Sequence, residues 1–199
     1  MHVYSRPITF SEFVDLYCDK GIFVELVDGS VEEMELVQLD HEKLSLWLTY
    51  ILKTAVLEGD LGIFLTSRIA VEIDEFHGRL PDLLFVRKDR LDIVQQKGVF
   101  GAPDLIIEIV SPSDRPSSMN ALEVDYRRLG VPEIVFINQK RRRVRILHKK
   151  GDGYEAEDLT SGPLRLGSMG GLTFQIEWLF QDPLPDERVI IDQILKRRR

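Results

Sequence analysis

Apolar residues recur every three or four positions in three parts of the chain, and this spacing predicts three amphipathic helices. The predicted helices cover residues 10–19, 40–58 and about 117–129. Their expected capping residues are Thr9 with Glu12 in a capping box, Asp40, and Ser117 or Ser118. A glycine directly after Leu129 and a proline two residues further on mark the end of the third helix.

Alternating or continuous apolar runs, which are typical of strands, fill much of the remaining chain. Residues 21–36 hold two such runs around Asp28-Gly29, a strong signal for a hairpin turn. Further strands are expected at residues 63–73, 81–87, 103–112, 133–138, 142–150 and 172–180, with a short helix near 88–96 and a turn in the glycine cluster at 166–172. Strands interleaved with helices predict an α/β fold, in which a mixed β-sheet is flanked by helices.

The composition is that of an ordinary soluble globular protein, with 44% hydrophobic and 30% charged residues in a chain of 199. We expect one domain over residues 1–199. We also expect a cytoplasmic protein, because no run has the ~20 apolar residues of a membrane span and the first residues lack a signal-peptide pattern. The single Cys18 excludes an internal disulfide and a cluster of zinc-binding thiolates.

The charge of the chain is unevenly distributed. The net charge of −7 argues against nucleic acid as a partner, because phosphate binding depends on Lys and Arg. However, residues 139–150 carry seven Lys or Arg, and residues 196–199 read KRRR. These segments are either a solvated strand edge and a basic C-terminal tail, or a local surface that holds a phosphate backbone.

Glu108 lies inside the run PDLIIEIVSP, between two pairs of branched apolar residues. A continuous apolar run of this kind is typical of a central strand covered on both faces. An unpaired ionised carboxylate at such a position costs many kcal/mol. Glu108 is therefore expected to be protonated, paired with a cationic side chain, or bound to a metal ion.

Two more carboxylates lie inside strand patterns, Glu25 in FVELVDG and Asp82 in LPDLLFV. Acids on neighbouring strands can converge, and their oxygens then suit a hard cation such as Mg²⁺ or Mn²⁺. Such an ion lowers the pKa of a bound water and stabilises charge on a phosphoryl group. Each acid also has a simpler explanation, since Asp82 can start a strand and Glu25 can pair with an Arg or Lys across the hairpin.

Two further residues compete for a place in such a site. Asp104 projects from the same face of its strand as Glu108, so the spacing alone does not exclude it. His41, near the start of the second predicted helix, is either a proton donor or metal ligand, or else a surface residue or one that supports a site residue from behind.

Six motifs stand out together: ELVDG (25–29), His41, PDLLFV (81–86), DLIIEIVSPS (104–113), DYRRLGVPEI (125–134) and LTFQIEWLF (172–180). In this order and spacing they resemble the bacterial Uma-type restriction endonucleases, of the PD-(D/E)xK nuclease group, over nearly the whole chain. The resemblance implies a restriction-endonuclease-like mixed sheet, DNA as a partner, a homo-oligomer, and metal-dependent cleavage of phosphodiester bonds with Mg²⁺ or Mn²⁺. It also implies that Asp82, Glu108 and Glu25 are the catalytic, metal-binding acids.

The motif lysine of these nucleases is missing from this sequence. The position two residues after Glu108 holds Val110, and the helix position used in the resembling family holds Leu122, with Ser118 in place of an Asp. A lost transition-state cation typically costs ~10²–10³ in rate. Arg115 or Arg127 is the expected replacement. Three hypotheses remain open: an active endonuclease, a degenerate binding module with the same fold, and a hydrolase of small phosphorylated compounds.

Overall fold

The computed structural model of the protein describes residues 6–18, 20, 22–34, 36, 38–66, 69–111 and 115–196. The helices are α1 (Phe10–Tyr17), α2 (Leu39–Glu58), α3 (Pro116–Leu129) and α4 (Glu187–Lys196), with 3-10 turns at Lys88–Ile93 and Ile176–Phe180. The strands are β1 (Val24–Val27), β2 (Ser30–Glu33), β3 (Gly62–Thr66), β4 (Val71–Asp74), β5 (His77–Arg79), β6 (Leu83–Arg87), β7 (Val94–Gln95), β8 (Gly98–Val99), β9 (Leu105–Ile109), β10 (Glu133–Asn138), β11 (Arg143–Lys150), β12 (Gly153–Leu159), β13 (Pro163–Leu166) and β14 (Leu172–Gln175).

A six-stranded sheet, here the central sheet, has the strand order β12-β11-β10-β9-β6-β3. β9 and β10 run parallel, whereas the other neighbouring pairs are antiparallel. β9 lies inside the sheet and all five of its residues are buried, as its continuous apolar run predicts. The predicted mixed sheet of an α/β fold is therefore confirmed.

Helices cover both faces of the central sheet. One face packs against α2 and α4 in a core that includes Leu52 and Phe85. The other face packs against α3, where Tyr126 joins Leu84 and Ile106. Because burying one such side chain stabilises the fold by about 1.5–3 kcal/mol, these contacts fix the positions of α2 and α3 beside the ends of β6 and β9.

A second, smaller sheet has the strand order β2-β1-β5-β4-β8-β7. Its β1–β2 hairpin confirms the turn predicted from Asp28-Gly29, and both turn residues have positive φ angles, 48° and 70°. At Gly29 a Cβ atom would lie 2.4 Å from the side chain of Pro7, so both the backbone angle and the space require glycine.

The prediction of a single strand over residues 63–73 is wrong. β3 pairs with β6 in the central sheet, whereas β4 pairs with β5 and β8 in the second sheet. Apolar alternation continues through both segments because each has one buried face, so the pattern does not show that the chain changes sheets. Likewise, residues 172–180 divide into β14 and a 3-10 turn.

Several helix boundaries also differ from the prediction. The capping box of Thr9 is confirmed, but α2 begins after Gln38 and α3 after Arg115, so neither Asp40 nor the two serines cap a helix. Pro116 starts α3 because its fixed φ suits a first helical position. The helix α4 and the strands β5, β8, β12 and β13 were not predicted, and β7 lies within the segment 88–96 that was predicted as a helix. The last three residues of the basic tail lie outside the described residues. Within the described chain, every helix is too short or too polar to cross a membrane.

Candidate active site

Two neighbouring strands of the central sheet bring two of the predicted acids together. β6 and β9 are antiparallel with Leu83 opposite Ile107, and one step further in this register Asp82 faces Glu108. The backbone N–H of Ile109 donates to Oδ2 of Asp82 at 2.8 Å, and the N–H of Asp82 lies 3.4 Å from Oε2 of Glu108. The two carboxylates therefore lie side by side where β6 begins and β9 ends.

These acids face a cleft of about 610 Å³ between the β1–β2 hairpin, the start of α2 and the first turns of α3. Its lining includes Glu25, His41, Asp82, Glu108, Arg115 and Leu122. We call it the acidic cleft. Glu25, Asp82 and Glu108, the three acids predicted from the sequence, all line this cleft.

Glu108 has no cationic partner among the described residues. Its side chain is buried, and its Oε1 accepts a hydrogen bond from the hydroxyl of Tyr126. Burial raises the pKa of Glu108 well above its usual value, and the charges of Asp82 and Glu25 raise it further, against the opposing effect of the Tyr126 hydrogen bond. Within the described residues the structure therefore favours a protonated carboxyl group or a bound cation over pairing of Glu108 with a cationic side chain.

Asp82 is held on two sides. In addition to its bond from the backbone of β9, its Oδ2 lies 3.0 Å from Nε2 of His41, whose side chain is only 8% exposed. A residue that merely began a strand would not need a buried imidazole partner. His41 thus belongs to the site as a positioning group for Asp82, and its place in the first turn of α2 fixes it there.

Glu25 lies in the cleft but already has an ion-pair partner. Its Oε2 accepts from Nη1 of Arg79 at 2.8 Å, and its Oε1 accepts from the N–H of Leu80 at 3.0 Å. Arg79 also binds Asp125 of α3, with Nη2 at 2.8 Å from Oδ2. Burial alone would lower the pKa of Arg79, but the two carboxylates raise it above its ordinary value. The predicted pairing of Glu25 is correct in kind, although the partner lies on β5 rather than across the hairpin.

Asp104 is excluded from the acidic cleft by its contacts. It accepts from the N–H of Arg87 at 2.9 Å and pairs with Nη1 of Arg90 at 2.8 Å. Both partners lie at the other end of β6 from Asp82 or just beyond it. The common face of Asp104 and Glu108 therefore does not lead to a common site.

The cations around the cleft match the sequence prediction only in part. Leu122 and Ser118 both line the acidic cleft, and no lysine does so among the described residues. Arg127 is excluded as a replacement, because it pairs with Glu123 at 3.4 Å and stacks on Tyr154. Arg115 does line the cleft, is exposed, and precedes the first turn of α3.

The metal-binding prediction has no complete set of protein ligands to support it. In the described part of the chain, no group of three or more His, Cys, Asp or Glu side chains is arranged to hold an ion. The adjacent pair of Asp82 and Glu108 remains the strongest candidate.

A family model described as Uma2, putative restriction endonuclease, matches residues 10–178, a span that includes every lining residue of the acidic cleft. The chain belongs to the Uma2 family. The crystal structure of a putative nuclease from Anabaena variabilis matches this Uma2 protein with a TM-score of 0.72 and 18% identity, covering 87% of this chain and 98% of that chain. The two proteins therefore share the restriction-endonuclease-like fold. None of the curated proteins matches the chain.

Sequence reasoning did not assign three residues of the candidate site to it. Arg79 was not singled out, Asp125 entered only as part of the motif DYRRLGVPEI (125–134), and Tyr126 entered only there and on the apolar face of α3. A signal for Arg79 was present, because a buried Glu25 requires a nearby cation and GRLPD places an arginine three residues before Asp82. Nothing in the sequence pattern pairs the Tyr126 hydroxyl with Glu108.

Proposed function

We propose that this Uma2 protein is a DNA endonuclease that uses Mg²⁺ or Mn²⁺, with Asp82 and Glu108 as the metal-binding acids and Glu25 as a third catalytic acid. The observation that supports it best is the adjacent pair of carboxylates facing a cleft, of which Glu108 is buried without a cationic partner among the described residues. Membership of a family described as restriction endonucleases fits the same proposal.

The residues present fit a divalent cation. Mg²⁺ is usually held by one or two carboxylates and completes its shell with waters and substrate phosphates, so Asp82 and Glu108 are sufficient protein ligands. A cation beside them would also offset the repulsion that raises the pKa of Glu108. Glu25 adds negative charge to the same cleft, although Arg79 neutralises much of it.

When bound, a divalent ion supplies a Lewis acid that activates water and neutralises charge on phosphoryl oxygens. The protein's own groups orient the acids for this task. His41 and the N–H of Ile109 fix the carboxylate of Asp82, and the hydroxyl of Tyr126 fixes that of Glu108. In the proposed reaction a water loses a proton to solvent and attacks phosphorus, the bond to the leaving ester oxygen breaks, and that oxygen takes up a proton from solvent.

Arg115 is the proposed cation for the transition state. In the described part of the chain, two arginines line the cleft. Arg79 forms ion pairs with two acids, whereas Arg115 has no carboxylate at ion-pair distance among the described residues. A guanidinium stabilises phosphoryl charge but does not release a proton to activate water. We therefore expect turnover slower by ~10²–10³ than with a lysine in the site.

The test is cleavage of supercoiled plasmid with Mg²⁺ and with Mn²⁺. The proteins compared are wild type, Glu108→Ala, and Glu32→Ala as a matched control, since Glu32 is an exposed acid on the wall of the same cleft. We expect wild type and Glu32→Ala to nick the plasmid and Glu108→Ala to be inactive. Equal cleavage by Glu108→Ala and wild type would contradict the proposal.

Leu122 favours a second candidate function, a nuclease fold that binds its partner without cleaving it. An apolar side chain lines the acidic cleft where the resembling nucleases have their lysine. Leu122→Lys decides between the two functions. Cleavage by this variant alone would indicate a retained acid pair that has lost its cation, and the wild-type protein would then act by binding.

A further inference from the structure

A second groove, of about 980 Å³, opens directly beside the acidic cleft. It lies between α2, the turn that joins β10 to β11, and residues 180–188. His41 and Ser111 line both the groove and the acidic cleft, so the two are continuous. We call it the α2 groove. A polymer whose reacting bond lies at Asp82 would have to continue along a surface of this kind.

The basic segment 139–150 is only partly neutralised. On β11, Arg143 pairs with Asp158 at 2.5 Å, and Arg145 pairs with Glu123 at 2.9 Å. These arginines support the fold and are not available to a ligand. Asp158 on β12 and Glu123 on α3 therefore neutralise two of the seven cations of the segment.

Three more of these cations lie in the β10–β11 turn. Lys140, Arg141 and Arg142 are exposed there, and none of them has a carboxylate at ion-pair distance in the part of the chain that is described. Nη1 of Arg142 donates to the carbonyl of Phe180 at 3.0 Å, and its guanidinium lies 5.4 Å from the centroid of that ring. Lys140 lines the α2 groove. Lys140 thus lines the groove, and Arg141 and the fixed Arg142 lie next to it in the same turn.

One part of the α2 groove wall is apolar and aromatic, whereas the acids Asp40, Asp182 and Glu187 and the cations Lys43 and Arg188 line other parts of it. Tyr50 and Leu46 on α2 line it while 53% and 62% exposed, and Phe180 lies opposite on the side of the β10–β11 turn. Trp47 beneath them is fixed by its Nε1–H bond of 2.8 Å to the carbonyl of Pro185. Exposed aromatic and aliphatic side chains next to unpaired cations are the combination that binds single-stranded nucleic acid, with bases on rings and phosphates on cations.

We propose that the α2 groove binds an unpaired segment of the nucleic-acid strand that enters the acidic cleft, with phosphates on Lys140, Arg141 and Arg142 and a base stacked on Tyr50. The inference rests on the proposed endonuclease function. It adds a substrate class, namely DNA with a single-stranded portion next to the cleaved bond. A fully paired duplex keeps its bases stacked internally, so it would use the cations but not the aromatic wall.

The experiment is fluorescence anisotropy with a labelled oligo-dT and a labelled duplex of the same length, in EDTA so that no cleavage occurs. Tyr50→Ala is compared with Leu57→Ala, an exposed residue further along α2 that does not line the groove. We expect the single strand to bind more tightly than the duplex. We also expect Tyr50→Ala to weaken it about tenfold, as for the loss of one stacked base, and Leu57→Ala to have no effect.

Charge reversal at the rim tests the phosphate contacts. The double variant Lys140→Glu with Arg141→Glu should reduce the slope of log Kd against log salt by about 1.4, at ~0.7 per lost contact to a single strand. Lys150→Glu, at the far end of β11, is the control. All of these side chains are exposed, and thermal melting of each variant checks that it is folded.

Two results would overturn the inference: duplex bound as tightly as the single strand, or single-strand binding unchanged in both Tyr50→Ala and the double variant. The endonuclease proposal is tested separately. Binding is measured in EDTA, where no cleavage occurs, and cleavage is measured with Mg²⁺ or Mn²⁺. Wild type that prefers oligo-dT but does not nick plasmid would contradict only the endonuclease, and wild type that nicks plasmid without this preference would contradict only the groove.

Discussion

Replacing Glu108 with glutamine should stabilise the metal-free protein. Glutamine keeps an oxygen to accept the Tyr126 hydroxyl but carries no charge beside Asp82. Facing residues of paired strands have Cβ atoms about 5 Å apart, and two unit charges at about that distance repel by about 3 kcal/mol at an effective dielectric constant of about 20. Since the site relieves part of this repulsion by protonation, we expect Glu108→Gln to increase the free energy of unfolding by about 1–3 kcal/mol near pH 8.

The increase in the free energy of unfolding should depend on pH, because folding raises the pKa of Glu108 above its ordinary value of 4.5. Below about pH 4, residue 108 of the wild type is largely protonated in the folded and unfolded states, and the two proteins should differ little. As the pH rises above that value, the unfolded chain releases a proton that the folded protein retains. The wild type therefore loses stability between pH 4.5 and the raised folded pKa, whereas the variant does not.

Urea unfolding followed by circular dichroism, in EDTA at pH 4 and pH 8, measures the difference in the free energy of unfolding. In a thermal scan at pH 8, the melting temperature of Glu108→Gln should exceed that of the wild type by about 2–12 °C for a chain of this size. Glu32→Gln, an exposed acid of the same cleft, is the control and should change neither value. A variant less stable than wild type at pH 8, or a difference that is the same at both pH values, would refute the electrostatic account of Glu108.

Two other substitutions have defined outcomes. Arg79→Met should leave the partly buried Glu25 without its ion-pair partner, and Asp125 with Arg128 as its remaining cation among the described residues. The substitution should lower the free energy of unfolding by about 3–5 kcal/mol, measured by urea unfolding. Arg128→Met, whose half-exposed side chain pairs with Asp74 and Asp125, should cost under about 1 kcal/mol. His41→Ala should weaken Mn²⁺ binding by about 10–100-fold in a calorimetric titration, because Asp82 loses its imidazole partner; an unchanged affinity would exclude a positioning role for His41.

Local pattern was sufficient for the parts of the fold that depend on local sequence. The capping box of Thr9 and the hairpin at Asp28-Gly29 are formed by residues within a few positions of one another, and both were predicted correctly. The strand around Glu108 was recognisable because burial on both faces leaves a continuous apolar run. The oddity of a carboxylate in that run was the first indication of a site.

The sequence pattern did not predict contacts between residues that are far apart in the chain. The two sheets that share residues 63–73, and the docking of α4 on the core through Ile190 and Ile194, depend on contacts far away in the sequence. The same holds for the site, where Glu25 and Asp125 meet only through Arg79. The convergence of the acids was a hypothesis from their strand patterns, to which the family resemblance added the metal-binding roles, and the register of β6 on β9 is the physical cause of the contact between Asp82 and Glu108.

The double ion pair of Arg79 ties three parts of the chain together. Through it the hairpin of the second sheet, the strand β5 and the crossover helix α3 share one side chain. Arg79 thus ties one wall of the acidic cleft to the opposite wall. Widening the cleft would require its ion pairs to break, so we expect a wider cleft to lower thermal stability. Variants selected for broader substrates should melt earlier unless a new contact replaces Arg79.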